Sequence, residues 1–213
     1  MAFYNSINDG NNFVISFTQN PKQDFGVFAK GYTQAASVLA EQLLEKPHFS
    51  DYEAYPIVFL YRQAFELYLK SFYFKAGLLS FFKDSQNVEY QFINKHWLKP
   101  LAETFQKICK VLFPYNQALL QLADKVHRYA EEFEQIDSDS FGYRYPIDTK
   151  GNPSTKHHQV VNLLAFHNSM KELLGELEIV DFGFDIEKSQ AQEIYEIIQE
   201  TQNIIASDSG ETD

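Results

Sequence analysis

The stretch that decides the fold is Tyr55–Lys75, which reads YPIVFLYRQAFELYLKSFYFK. At about 100° per residue, four polar side chains of this stretch fall within one narrow arc of a helix. They are Arg62, Gln63, Glu66 and Lys70. Apolar side chains cover most of the rest of the circumference, and a helix of this kind is buried on most sides. We therefore expect the polar arc to line a site or to face a thin strip of solvent.

The composition indicates one aromatic-rich globular domain. The chain has 213 residues, of which 45% are hydrophobic and 16% aromatic. Its one cysteine, Cys109, excludes a disulfide framework and a cysteine-based metal site. The N-terminal residues lack the pattern of a secretory signal, and charged residues interrupt the longest apolar run. We therefore expect a soluble, cytoplasmic protein.

Hydrophobic periodicity predicts helices over most of the sequence and an all-α bundle. The predicted helices are Phe25–Glu45, Asp51–Lys75, Lys95–Leu112, Tyr115–Gln135, Lys156–Leu177 and Ile186–Ile205. Residues 1–24 are predicted to be an extended segment, residues 25–205 one helical domain, and residues 206–213 a disordered acidic tail.

Local signals set the expected ends of these helices. Ser50 and Glu53 have the spacing of a capping box, and Gly77 is expected to terminate the second helix. Glu178–Asp185 is expected to be a linker between the last two helices. Asp137–Thr155 is expected to be a non-helical insert whose centre, Tyr143–Ile147, can form a small β-hairpin.

Three segments together resemble the HEPN superfamily of small helical domains. They are Arg62–Lys70 (RQAFELYLK), His96-Trp97-Leu98, and Ser140–Asp148 (SFGYRYPID), and the resemblance covers about Tyr52 to Leu177. It implies a core of four or five helices and a homodimer. It also implies an RNA- or nucleotide-associated role in a bacterial defence or toxin–antitoxin setting.

Arg62, Glu66 and His96 form the first group of candidate ligand-binding residues. Arg62 and Glu66 are four residues apart, so they can pair on one face of the helix. They either orient a ligand or form a structural ion pair. His96 is expected to open a helix, where it acts as a general base or hydrogen-bonds a backbone carbonyl.

Arg144 and Tyr145 form the second group of candidates. The net charge of −11 opposes long-range attraction to nucleic acid, but residues 141–158 carry a local excess of positive charge. Arg144, between two tyrosines, can hold a phosphate or a carboxylate with two hydrogen bonds. Alternatively, it pairs with Asp148 and locks the insert.

The histidines decide between binding and catalysis. Ribonucleases of the HEPN superfamily carry an arginine followed four to six residues later by a histidine, and this chain lacks that spacing. Arg144 with His157 or His158 can restore the pair only if the insert folds back. Since His157 and His158 are adjacent, a helix separates them by about 100°, and no metal site is expected. His167, on an apolar stripe, is expected to be a core or interface histidine.

The leading prediction is therefore a binding module for RNA or nucleotides without cofactor. Two alternatives remain open at this point. One is a metal-independent endoribonuclease with a rearranged Arg/His site, and the other is a non-catalytic subunit whose acidic surface binds a basic protein.

Overall fold

The computed structural model describes residues 24–83, 96–136, 142–147, 150–154 and 160–209. Five α-helices account for about four-fifths of these residues, and none of these ranges contains a β-strand. The helices are α1 (Phe25–Leu44), α2 (Asp51–Phe82), α3 (Leu98–Leu112), α4 (Gln117–Ile136) and α5 (Leu163–Ser209). The predicted all-α bundle is confirmed. None of the helices in these ranges is both long and apolar enough to cross a membrane.

The helix α2 is the centre of the bundle. It packs against α1, α3 and α5, while α4 packs on α3, and α1 also contacts α5. The apolar sides of α2 explain this position, because each of them must be covered by another helix. Phe65 and Phe72 of α2 are completely buried, and Phe72 stacks on Phe105 of α3 with ring centroids 4.7 Å apart.

Short polar side chains begin three of the helices. Ser50 and Glu53 form the predicted capping box, in which the backbone N–H of Ser50 donates to Glu53 Oε2 at 2.8 Å. At α4, Asn116 Oδ1 accepts from the N–H of Leu119 at 3.0 Å. At α5, Asn162 Oδ1 accepts from Ala165 at 2.9 Å. These bonds satisfy backbone donors that have no partner within the helix.

The predicted end of α2 was wrong, because the helix continues through Gly77 to Phe82. A glycine inside a helix costs about 1 kcal/mol relative to alanine. Burial of Ala76 and Leu79 in this extension outweighs that cost, since both side chains are fully inaccessible.

The predicted linker Glu178–Asp185 was also wrong. These residues belong to α5, which runs without a break from Leu163 to Ser209. Phe184 is buried against Phe113, and Lys75 of α2 holds both Asp181 and Asp185. These long-range contacts favour the helix where the local composition favours a linker.

The insert between α4 and α5 is described only in part. Ile147 and Pro153 form an isolated antiparallel bridge, and the N–H of Ser154 donates to the carbonyl of Pro146 at 3.1 Å. Gly151 has a φ of 83°, a left-handed conformation that suits the turn between them. The contacts are those of a tight turn, with no strand among the described residues. Residues 1–23, 84–95 and 210–213 lie outside the described residues, as do His157, His158 and Asp148.

Candidate functional site

The carboxylate of Glu66 is buried at the centre of the polar arc of α2, with 0% of its side chain exposed. Lys70 Nζ donates to Glu66 Oε1 at 2.7 Å, and Arg62 Nη1 donates to Glu66 Oε2 at 3.3 Å. Both partners lie one helical turn away, as the i,i+4 spacing requires. A carboxylate in this position needs such partners, because an isolated charge is very unfavourable in a protein interior.

His96, which lies two residues before α3, completes this group. Its Nδ1 is 2.9 Å from Glu66 Oε1, and its backbone carbonyl accepts from Arg62 Nη2 at 2.8 Å. The His96 side chain is 54% exposed, although both residues that hold it are buried. Arg62 therefore fixes the backbone of His96 and Glu66 fixes its ring. We call Arg62, Glu66, Lys70 and His96 the α2 cluster.

The electrostatics of the α2 cluster keep Glu66 ionised. Burial alone raises the pKa of this carboxyl, but the hydrogen bonds and charges of Lys70 and His96 outweigh burial and hold the pKa below its ordinary value. An ionised carboxylate at Nδ1 orients the imidazole and leaves Nε2 as the nitrogen that can exchange a proton with a ligand.

Arg144 lies at the amino-terminal end of the same face of α2. Its guanidinium carbon is 5.6 Å from the ring centroid of Phe59 and 5.8 Å from that of Tyr145. The ring of Tyr143 lies 6.0 Å from that of Tyr55. Arginine above aromatic faces is a cation–π arrangement. These contacts place the insert directly on α2.

The position of Phe59 relates the Arg144 segment to the α2 cluster. Phe59 and Glu66 are seven residues apart, so they share one face at a separation of about 10 Å along the helix axis. Exposed aromatic rings surround this face. They are Tyr52 and Tyr55 on α2, Tyr145 in the insert, and Trp97 beside His96. The face thus combines a guanidinium, an accessible imidazole and several flat apolar surfaces.

The structure brings together Arg62, Glu66 and His96, the first predicted group. It places Arg144 and Tyr145, the second group, on the same side of α2. The role of either group in binding stays a prediction. His157, His158 and Asp148 lie outside the described residues, so the Arg144–histidine pair and the Arg144–Asp148 lock stay predictions too.

The sequence alone assigns no role to Lys70 and Phe59. Lys70 is four residues after Glu66, and that spacing alone predicts the ion pair. Phe59 lies in the same arc, but no local signal connects it with an arginine 85 residues later. His167 was predicted correctly as a core residue, because it is buried and its Nδ1 lies 2.7 Å from the hydroxyl of Tyr61.

Among the described residues, no group of three or more His, Cys, Asp and Glu side chains is arranged to hold a metal ion. No protein-family model, curated protein or solved structure matches the chain. The resemblance to the HEPN superfamily therefore stays a prediction from the quoted segments.

Proposed function

We propose that the chain is an RNA- or nucleotide-binding module whose site is the aromatic-lined face of α2. The observation that carries the proposal is the exposed guanidinium of Arg144, held over Phe59 and Tyr145 among exposed aromatic rings. Unpaired bases stack on such rings, and arginine binds phosphate with two hydrogen bonds.

Because the overall charge is −11, this site can attract RNA only at short range. Attraction at long distance requires a broad basic surface, which the composition does not provide. A single fixed guanidinium acts at contact distance and neutralises few phosphates, which keeps the salt dependence small. Base stacking on aromatic rings adds affinity without a basic surface. We therefore expect modest affinity, weak salt dependence and a preference for single-stranded RNA.

The biological setting of the proposal comes from the HEPN resemblance alone. It comprises bacterial defence or toxin–antitoxin activity. The cytoplasmic location that we propose is instead based on the sequence, which has one cysteine and lacks the pattern of a secretory signal. The resemblance also implies a homodimer. The apolar surface of α2 is not available for it, because α1, α3 and α5 of the same chain pack against that surface. A dimer would therefore use another surface.

A second candidate function is metal-independent RNA cleavage, and the pairing of His96 with Glu66 favours it. A histidine oriented by a buried carboxylate and open to solvent is suited to general acid–base catalysis. In this reading, Nε2 of His96 exchanges a proton with the RNA and Arg144 binds the phosphate.

Binding is tested by fluorescence anisotropy with a labelled single-stranded RNA of mixed sequence. Arg144→Ala is expected to raise Kd about tenfold, the loss of about 1.4 kcal/mol from one charged contact. The matched control is Arg128→Ala, because Arg128 is also an exposed arginine but lies on α4. Equal Kd values for the two variants would refute the site, provided that both melt at the wild-type temperature.

Cleavage is tested on the same RNA in the presence of a chelator. His96→Gln is expected to abolish cleavage, whereas His127→Gln is expected to retain it. His127 is a suitable control because it also faces a glutamate, with 3.7 Å between its Nδ1 and Glu131 Oε2. RNA binding without any cleavage would eliminate the nuclease candidate and leave the binding proposal intact.

A further inference from the structure

Apolar side chains recur at every seventh residue along α5. Since seven residues fall only about 20° short of two helical turns, these side chains form one stripe that winds slowly around the helix. The stripe consists of Leu163, Met170, Leu177, Phe184, Ala191, Ile198 and Ile205. Its first five members are buried, whereas Ile198 is 48% exposed and Ile205 63% exposed. The stripe therefore continues beyond the part of α5 that the bundle covers.

We call residues 192–205 of α5 the distal arm. The rings of Phe81 and Phe82, at the end of α2, contact the ring of Tyr195 at 5.5 and 5.8 Å. Beyond this contact the arm carries its aliphatic side chains toward solvent, and Ile194 and Ile197 are exposed beside the stripe. A contiguous aliphatic face of this kind is typical of a surface that binds a partner.

The heptad positions of the distal arm separate an aliphatic edge from an acidic edge. With Ile194 at position a, the e positions are Ile198 and Ile205, and the g positions are Glu193 and Glu200. Residues 189–205 contain three glutamates and no lysine, arginine or histidine. In coiled coils, charges at e and g select the partner and its orientation.

A second copy of this chain is a poor electrostatic match for the arm. In a parallel pair of arms, each glutamate at g faces an isoleucine at e of the other copy. In an antiparallel pair, glutamates at g face each other, which is destabilising. Neither arrangement forms an ion pair, so the charges favour a partner that carries cations.

We propose that the distal arm docks a basic amphipathic helix of a partner protein. Aliphatic residues of that helix cover Ile194, Ile197 and Ile198, and its lysine or arginine residues pair with Glu193 and Glu200. The apolar contact supplies most of the affinity, and the charges select the partner and set the register. This surface is separate from the proposed RNA site, so either can fail alone.

The proposal is tested with two labelled peptides of three heptads each and the full chain. Both have leucine at a and d; one has lysine at e and g, and the other has glutamate. Anisotropy is expected to show binding of the lysine peptide only. Charge reversal by Glu193→Lys with Glu200→Lys is expected to weaken binding of the lysine peptide and to strengthen binding of the glutamate peptide.

Isoleucine variants test whether the lysine peptide binds the aliphatic face specifically or is only attracted to an acidic protein. Ile194→Gln with Ile198→Gln is expected to raise Kd of the lysine peptide about tenfold. Ile179→Gln is the control, since Ile179 is an exposed isoleucine on the bundle part of α5. Equal Kd values for these variants, or no binding of the lysine peptide, would overturn the proposal. A dimer of the chain alone that the double variant dissociates would make a second copy the occupant and also overturn it.

Discussion

Two buried charge networks on the same helix differ in what covers them. In the α2 cluster, Glu66 is held by residues of its own helix and by His96, whose side chain remains largely accessible. Nine residues later, Lys75 is also buried, but its partners come from α5. Its Nζ is 2.9 Å from Asp181 Oδ2, 2.5 Å from Asp185 Oδ2 and 3.1 Å from the carbonyl of Asp181.

A second helix also reaches the Lys75 network. Gly26 of α1 lies so close to Asp181 that an added Cβ would overlap the carboxylate. Lys75 thus joins α2 to α5, and Gly26 lets α1 approach the same point. The comparison teaches that burial of a charge does not by itself identify a site. The accessible group of the Lys75 network is the carboxylate of Asp185, which is 43% exposed and already paired with two lysines. The α2 cluster differs because its accessible group, His96, is an imidazole that is suited to proton exchange with a ligand.

The largest expected effect is the loss of Glu66. Glu66→Ala should lower the free energy of unfolding by about 3–5 kcal/mol, because the buried charge of Arg62 is left without its carboxylate. Chemical denaturation measures this change. Glu66→Gln keeps a hydrogen-bond acceptor for Arg62, so its free energy of unfolding should fall by less. If both variants keep wild-type stability, the α2 cluster is not a buried network and the comparison fails.

The sequence predicts those features of the two networks that depend on local spacing. Arg62 and Glu66 pair because they are one turn apart, and the polar arc of α2 is visible from periodicity alone. The capping box at Ser50 and Glu53 is likewise a local pattern. The helical class follows from the same signals.

The part that the sequence does not predict depends on contacts between distant residues. Gly77 and the segment Glu178–Asp185 suggest breaks, yet burial around them keeps both helices continuous. The pairing of Lys75 with Asp181 spans 106 residues, and the contact of Phe59 with Arg144 spans 85. No local spacing encodes these contacts, because the packing of whole helices determines them.

The next largest effect tests the contact of α1 with the Lys75 network. Gly26→Ala should destabilise the protein by about 1–3 kcal/mol, the usual penalty for overpacking a tight contact. The Asp181 carboxylate would have to move away from Lys75 to make room.

Gly31→Ala is the matched control, since Gly31 lies in the same helix and an added Cβ would meet nothing within 4 Å. It should be neutral or stabilising by up to about 1 kcal/mol, from helix propensity alone. Thermal unfolding of both variants gives the comparison. Equal melting temperatures would show that α1 does not approach Asp181 closely.

The smallest expected effect is a change in acid stability that isolates the α2 cluster. The pKa of Glu66 is held below its ordinary value, so its ionised form stabilises the fold above the unfolded value of about 4.3. This stabilisation is lost as the pH falls through the lower pKa of the folded state. Lys70→Met removes the strongest interaction that lowers the pKa and leaves burial, which raises it. The acid unfolding midpoint of Lys70→Met should therefore move to higher pH.

Lys30→Met is the control for this shift, because Lys30 forms an ion pair of the same length with Glu178 but on the exposed surface. Exposed pairs contribute little to stability, so its acid midpoint should match that of the wild type. Circular dichroism between neutral and strongly acidic pH measures all three midpoints. If the acid unfolding midpoints of Lys70→Met and Lys30→Met shift equally, water screens the charge of Glu66 as it screens that of an exposed glutamate. The α2 cluster and the Lys75 network would then differ only in their partners. Burial would not set the protonation of Glu66 beside the accessible His96.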